Sequence, residues 1–202
     1  MICVIDYNLG NLSSVTNALK RLGMPVTITR DPAIIRRAKG IILPGVGTFP
    51  VAMKHLRNYG LVEILNEMKD KHIPILGICL GMQVLFEKGL EVTETEGLGF
   101  LKGTVEYMDI KEKIPHMGWN QLEIRQKHPI LKYIKENDYV YFVHSFMAHP
   151  LPEQLISVCY YGNTVIPAVV ANDCVIGCQF HPEKSGQIGE KILLGFKEMT
   201  EC

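Results

Sequence analysis

Gly77-Ile78-Cys79-Leu80-Gly81 sets one thiol between two glycines, where the apolar run 73–78 gives way to a helix-like pattern. This is the G-x-nucleophile-x-G form of a strand-to-helix turn. Its glycines are needed because the turn is too tight for β-carbons on both sides of a strained residue. Such a turn leaves the sulfur exposed above a sheet and at a helix N-terminus, where the dipole and free N–H groups favour a thiolate. The Leu80 amide can then donate to an oxyanion formed at an attacked carbonyl. A cysteine in an apolar run is more often core than catalyst, so the reading turns on whether a base accompanies it.

Seven histidines are candidates: His55, His72, His116, His128, His144, His149 and His181. His55, His72 and His128 lie in polar contexts of surface type. His181, in "VIGCQFHPEKSG", stands just past an apolar strand and before Pro182, which favours an extended backbone at the residue preceding it. In an extended segment residues two apart point to the same side, so Glu183 can orient the imidazole as a third group orients the base of a triad. Alone, His-Pro-Glu is more simply a turn before the last helix; beside the Cys79 turn, that becomes the weaker option. A second glycine cluster, "LPGVGTF" (43–49), also follows an apolar strand, and its amides around Val46 and Gly47 can supply another oxyanion donor. It lacks the G-K-[ST] of a phosphate loop and the G-x-G-x-x-G of a dinucleotide site.

Elements that hold these residues follow from the pattern. "ICVID" (2–6), "PVTIT" (25–29), "GIILP" (40–44) and "IPILGI" (73–78) read as strands. Between them, Asn11 can cap a helix with Leu12, Val15, Leu19 and Leu22 on one face and Gly23 as its stop. Leu61, Ile64, Leu65 and Met68 mark a second helix. A third is expected from about Leu80 to Lys88. This rhythm predicts an α/β fold, a mostly parallel central sheet with helices on both faces. Working sites in such folds lie beyond the carboxyl ends of the strands, where Cys79 stands. After Gly89 strand-like segments dominate and predict an antiparallel extension, closed by a helix with Ile188, Ile192, Phe196 and Met199 inward. One domain over 1–202 is expected.

The chain has 202 residues, with 21 Lys+Arg against 21 Asp+Glu. Zero formal charge gives no global field to hold a nucleic-acid backbone or an anionic membrane. The longest membrane candidate, 73–86, contains Gln83 and two glycines and falls short of the roughly 20 residues a spanning helix needs. "MICVIDYNLG" does not read as a signal peptide. The cysteines, numbers 3, 79, 159, 174, 178 and 202, sit mostly inside apolar runs and suggest reduced thiols in the cytoplasm. No metal or cofactor is expected: there is no C-x-x-C, and Cys174 and Cys178 lack a second ligand pair.

With these pieces in order, the sequence resembles the class I, or triad, glutamine amidotransferases along nearly its whole length. Gly77, Cys79, Gly81 and Gln83 match their G-x-C-x-G-x-Q, and Phe180 to Glu183 match their F-H-P-E. The resemblance implies a flavodoxin-like architecture in which Cys79 attacks the side-chain amide of L-glutamine. His181 passes a proton to departing ammonia, Glu183 holds the imidazole, and water hydrolyses the glutamyl thioester. It also implies that Gln83 and Leu80 serve glutamine binding, with His144, Ser145 and Phe146 of "VHSF" meeting the α-amino and carboxylate groups. "DYNLGNLSSV" (6–15), "LPGVGTF" and "PHMGWN" (115–120) narrow the resemblance to the glutaminase subunits of imidazole glycerol phosphate synthase. The anthranilate, carbamoyl phosphate and GMP branches share the triad but typically not these three stretches together.

That branch implies a partner, a (β/α)8-barrel cyclase subunit that receives the ammonia. Asn11, Ser14 and Trp119 lie in segments expected near the interface; for Trp119 a packing role carries equal weight. The Pro-Gly-Val-Gly loop departs from the Gly-Gly loop of other branches and implies a free subunit that hydrolyses glutamine poorly. Two rival readings are a stand-alone cysteine γ-glutamyl hydrolase or protease, and a non-catalytic scaffold. The Gln83 and "VHSF" positions argue against the first, and the presence of Cys, His and Glu together against the second.

Overall fold

In β1 (Ile2–Ile5) every residue is buried, Ile2 and Val4 in one apolar cluster, Cys3 and Ile5 in another. Period-two alternation produces this when both faces of a parallel sheet are covered. β3 (Gly40–Gly45) repeats it, with Ile42 in the first cluster and Ile41 and Leu43 in the second. The computed structural model describes residues 1–201, so Cys202 lies outside the described residues.

The remaining strands in chain order are β2 (Val26–Thr29), β3 (Gly40–Gly45), β4 (Ile75–Cys79), β5 (Phe86–Gly89), β6 (Thr95–Glu96) and β7 (Leu101–Tyr107). Then come β8 (His116–Gln121), β9 (Glu123–Ile124), β10 (Tyr139–His144), β11 (Phe146–Pro150), β12 (Leu155–Tyr161), β13 (Thr164–Asn172) and β14 (Val175–Cys178). The helices are α1 (Leu12–Arg21), α2 (Pro32–Ile35), α3 (Phe49–Asn58), α4 (Leu61–Asp70), α5 (Leu80–Gln83) and α6 (Gly186–Met199).

The main sheet runs β2-β1-β3-β4-β14-β13-β12-β9. Its β2 to β14 half is parallel, and β13, β12 and β9 extend it antiparallel. α1 and α6 cover one face through Val15, Leu19, Ile192 and Phe196; α3 and α4 cover the other through Met53, Leu56, Ile64 and Leu65. Two smaller sheets, β10-β8 and β11-β7-β5-β6, complete the arrangement. The α/β class and the antiparallel extension expected from sequence are both present. Asn11 caps α1, its Oδ1 accepting from the Ser14 N–H at 3.2 Å.

The helix expected over 80–88 is corrected: α5 ends at Gln83, and Phe86–Gly89 is a strand parallel to β7. Val84, Leu85 and Phe86 are wholly buried, and that burial, with the pairing to β7, overrides the local helical pattern. "DYVYFVHSF" is likewise two strands, broken at Ser145. α2 and α3 were not anticipated.

Parallel pairing puts three chain segments at one edge. Gly45 is in register with Cys79, and Ile78 with Cys178. The glycine loop after β3, Cys79 at the end of β4 and the His181 segment after β14 therefore emerge side by side. Among the described residues no helix is long and apolar enough to cross a membrane.

Candidate active site

Cys79 takes φ 54° and ψ −111°, a conformation that costs a non-glycine residue about 1–3 kcal/mol. The turn is as tight as its glycines imply: a β-carbon on Gly77 would stand 2.5 Å from the Gly81 carbonyl oxygen, and one on Gly81 1.7 Å from that of Leu43. The strain holds the thiol at the strand end, 8% exposed, on the floor of a cavity of about 370 Å³. α5 is a single turn, so the dipole contribution expected from a longer helix is small; what remains at this turn is the local Leu80 amide.

His181 is extended, with φ −101° and ψ 97°, before Pro182. Its Nδ1 donates to Glu183 Oε1 at 2.8 Å, and the two side chains are only 3% and 2% exposed. Ser185 staples this segment to β10: its hydroxyl donates to the His181 carbonyl at 2.6 Å and accepts the Tyr141 N–H at 2.9 Å. His181 Nε2 and Glu183 Oε2 are buried without a partner of ordinary hydrogen-bond geometry. Burial pulls the His181 pKa down, but interaction with Cys79 and then the hydrogen bond to Glu183, reinforced by both charges, outweigh it and hold the imidazolium up to about 9. Thiol, imidazole and carboxylate thus lie in the order a cysteine nucleophile, its proton carrier and its orienting group require.

Val46, Gly47, Leu80, Gln83, His144, Ser145 and Phe146 all line the same cavity. Val46 is 44% exposed on the glycine loop. The His144 ring, however, has both nitrogens engaged, Nδ1 with the Phe146 carbonyl and Nε2 with His116 Nδ1, each at 2.9 Å. The Phe146 carbonyl also accepts from Gln83 Nε2 at 3.1 Å, so the His144 imidazole acts inside the wall and Gln83 keeps its Oε1 for other partners.

Three residues outside the sequence-derived set belong here. Glu91 lines the cavity, one carboxylate oxygen accepting the Phe49 N–H at 2.7 Å. Gln179, wholly buried, places Nε2 3.8 Å from Cys79 Sγ. Tyr7, also wholly buried, donates to the Pro44 carbonyl at 2.6 Å, and burial, with the Cys79 charge adding, raises its pKa. A buried glutamine in the apolar run "CVIGCQF" was the available signal for Gln179. The other two depend on the folding of distant loops.

The residues expected at an interface lie elsewhere. Asn11 is exposed at the α1 cap, with Ser14 beside it. Trp119 is 56% exposed and meets Tyr141 edge to face, which excludes a core role. Among the described residues one cluster, His72, Asp173 and Cys174, brings potential metal-binding atoms within 4.8 Å. It precedes β4 and β14, at the opposite sheet edge from Cys79, and its His–Asp contact of 2.6 Å is already a closed pair.

Residues 3–198 match the family described as Glutamine amidotransferase class-I. The imidazole glycerol phosphate synthase subunit HisH of Lactococcus lactis is 55% identical over 197 residues, 98% of either chain. The HisH of Caldanaerobacter subterraneus is 49% identical over the whole of both chains. A crystal structure of a glutamine amidotransferase superposes with a TM-score of 0.79 at 20% identity, covering 100% of both chains. The PurLQS structure from Thermotoga maritima does so at 0.78 and 20%, covering 98% of this chain and 97% of that one; at such identity these two speak to the fold alone. The chain therefore belongs to the class-I glutamine amidotransferase family, in its HisH branch.

Proposed function

We propose that this chain is the glutaminase subunit of imidazole glycerol phosphate synthase, hydrolysing L-glutamine at Cys79 and passing ammonia to a (β/α)8-barrel cyclase. The observation that carries the chemistry is the strained Cys79 beside a His181 imidazole whose pKa is held up to about 9 by interaction with Cys79 and Glu183. The Cys79 thiolate attacks the glutamine side-chain carbon, and the oxyanion is met by the Leu80 N–H and an amide of the Val46–Gly47 loop. The His181 imidazolium then gives its proton to the departing nitrogen, releasing ammonia and leaving the glutamyl thioester. Neutral His181 takes a proton from water, hydroxide adds to the thioester, and glutamate leaves as the thiolate re-forms.

Glu91 is the carboxylate of the cavity wall and, in this reading, receives the α-ammonium of the substrate. Glu91→Gln keeps an oxygen for the Phe49 N–H but removes the charge. Steady-state kinetics of the complex should show KM for glutamine raised about tenfold with kcat changed less than about twofold, the pattern of lost uniform binding. An unchanged KM would remove Glu91 from the substrate site.

The partner surface follows from exposure. Met117, Trp119 and Tyr139 are 60%, 56% and 51% exposed on β8 and β10, apolar residues on an open ribbon. Val143 of the same ribbon lines the cavity, and its carbonyl lies 3.9 Å from Cys79 Sγ. A partner seated there would border the place where ammonia forms. Shielded transfer matters because ammonium, the form favoured in neutral water, is no nucleophile.

The decisive experiment is a glutaminase assay of the chain alone, with the cyclase, and with the cyclase and its phosphoribulosyl ribonucleotide. If the loop amide is not aimed at the oxyanion in the free chain, the rate should rise about 10²- to 10³-fold on assembly, the value of one oxyanion donor. Equal rates in all three mixtures would refute partner dependence.

A further inference from the structure

We propose that Gln179 belongs to the catalytic machinery, donating an N–H to the Cys79 sulfur from an amide oriented by a buried hydrogen-bond network whose two arms, one from Asn120 through His116 and His144 and one from Gln83, converge on the Phe146 carbonyl. This rests on the reading of Cys79 as the nucleophile.

The direction of each bond follows from groups that can only accept. The Phe146 carbonyl has no hydrogen to give, so His144 Nδ1 must be the donor at 2.9 Å. Burial, with the nearby His116 and His181 adding, drives the His144 pKa down to about 4 despite its bond to Phe146. The ring is therefore neutral near pH 7, and its Nε2 accepts. The donor to that Nε2, at 2.9 Å, is then His116 Nδ1–H. His116 is also neutral, its pKa brought down to about 4 by burial, and its Nε2 accepts from Asn120 Nδ2 at 3.3 Å. Asn120 cannot be flipped, because its Nδ2 also donates to the Tyr160 carbonyl at 2.8 Å and its Oδ1 accepts the Gln121 N–H at 2.8 Å.

On the other side of the Phe146 carbonyl, Gln83 must present its NH2 group, at 3.1 Å. The same nitrogen donates to Gln179 Oε1 at 3.1 Å. Only one end of the Gln179 amide remains, Nε2, and it faces Cys79 Sγ at 3.8 Å. Both lone pairs of the Phe146 carbonyl are thus used, and each amide and ring in the chain has one permitted orientation. Gln83, Gln179, His116 and His144 are between 0% and 6% exposed, so water does not compete for these bonds. A buried network that is satisfied in this way rigidifies what it holds. Here it holds a donor against the sulfur, where it favours the thiolate and its return as leaving group when the thioester is hydrolysed.

Gln179→Met keeps the volume and removes the donor; Gln179→Glu keeps the shape and turns a carboxylate toward the sulfur. The readout is the pH profile of iodoacetamide alkylation at the Cys79 peptide of the full chain, by mass spectrometry. The midpoint should rise by about 1 pH unit in Gln179→Met and further in Gln179→Glu, one unit corresponding to a tenfold loss. The titratable and charged groups around the sulfur, His181 with Glu183, Tyr7, and the cavity-lining Glu91, His144 and Lys184, are common to all variants, so the differences isolate Gln179. In the cyclase complex, kcat for glutamine should fall about tenfold with KM within about twofold.

His116→Phe keeps an aromatic ring between Phe142 and Tyr161, on which His116 stacks at 4.8 and 4.2 Å. It removes the donor that fixes His144 on the Phe146 carbonyl shared with Gln83 and should move the midpoint the same way by a smaller amount, which keeps the idea testable if the Gln179 variants do not fold. Wild-type midpoints and kcat in the Gln179 variants would overturn the proposal, and an unmoved midpoint in His116→Phe would overturn the part played by the chain. A wild-type complex without glutaminase activity would instead sink the functional reading above.

Discussion

Cys79→Ala abolishes glutamine-dependent synthesis by the complex and leaves synthesis from added ammonium salt at the wild-type rate. Removing the nucleophile of a triad leaves only what binding and the oxyanion donors supply, so glutamate release should drop by about 10⁴-fold or more. Alanine keeps the β-carbon and therefore the strain at φ 54°, so the turn is not relaxed by the exchange. Cys79 is 8% exposed on the cavity floor, whereas Met117 and Trp119 on the open ribbon are 60% and 56% exposed. Cyclase binding should accordingly persist. The checks are glutamate release, cyclase activity with ammonium chloride at alkaline pH, and co-purification of the two subunits. Loss of the ammonia-dependent reaction as well would mean that Cys79 does something other than liberate ammonia.

That this variant can be specified at all reflects how much of the site was legible in a bare sequence. The G-x-C-x-G spacing encodes a steric fact: with Leu43's carbonyl 1.7 Å from where a Gly81 β-carbon would sit, no other residue fits the turn. His181 and Glu183 were legible because Pro182 restricts the backbone before it and an extended segment puts alternate side chains together. β1 and β3 were legible because buried parallel strands are continuous apolar runs.

The misses have a common cause. β5 carries "FEKG" in a stretch with good helical character, and only pairing with β7, a contact distant in sequence, makes it a strand. α3 hides Ala52, Met53 and Leu56 behind Phe49-Pro50 and a turn-like start. His144 lines the cavity, but the partners of its ring, His116, 28 residues away, and the Phe146 carbonyl, were not legible. Gln179 and Glu91 escaped for the same reason: what they touch is set by tertiary folding. Local sterics are written in the sequence; polar partnerships across the core are not.

Glu183→Gln separates the two functions of the carboxylate proposed as third member of the triad, and the expected loss in kcat/KM is about 10² to 10⁴-fold. With the carboxylate present, Nδ1–H donates to Oε1, which leaves Nε2 as the ring nitrogen free to interact with Cys79. Glutamine offers two arrangements. If its oxygen replaces Oε1, the tautomer is kept but the charge that stabilises the imidazolium is gone. If its NH2 faces Nδ1, the proton is forced onto Nε2, and the ring can no longer accept one from water without becoming a cation that lacks its counter-charge. Burial already opposes the imidazolium, and Glu183 is one of two partners that raise its pKa to about 9. Removing a raising influence lowers that pKa, so the alkaline limb of kcat/KM, where the proton donor to ammonia is lost, moves to lower pH.

The same sign applies to stability. In the wild type the His181 contribution is full below about pH 6.5, the unfolded value, and is lost as pH rises through about 9; in Glu183→Gln the contribution is smaller and its loss should be complete at lower pH, the onset being unchanged. A pH–rate profile of the complex and thermal melts across the same range give both readings. A variant with full activity and an unmoved alkaline limb would remove Glu183 from the triad, whatever its distance from the ring.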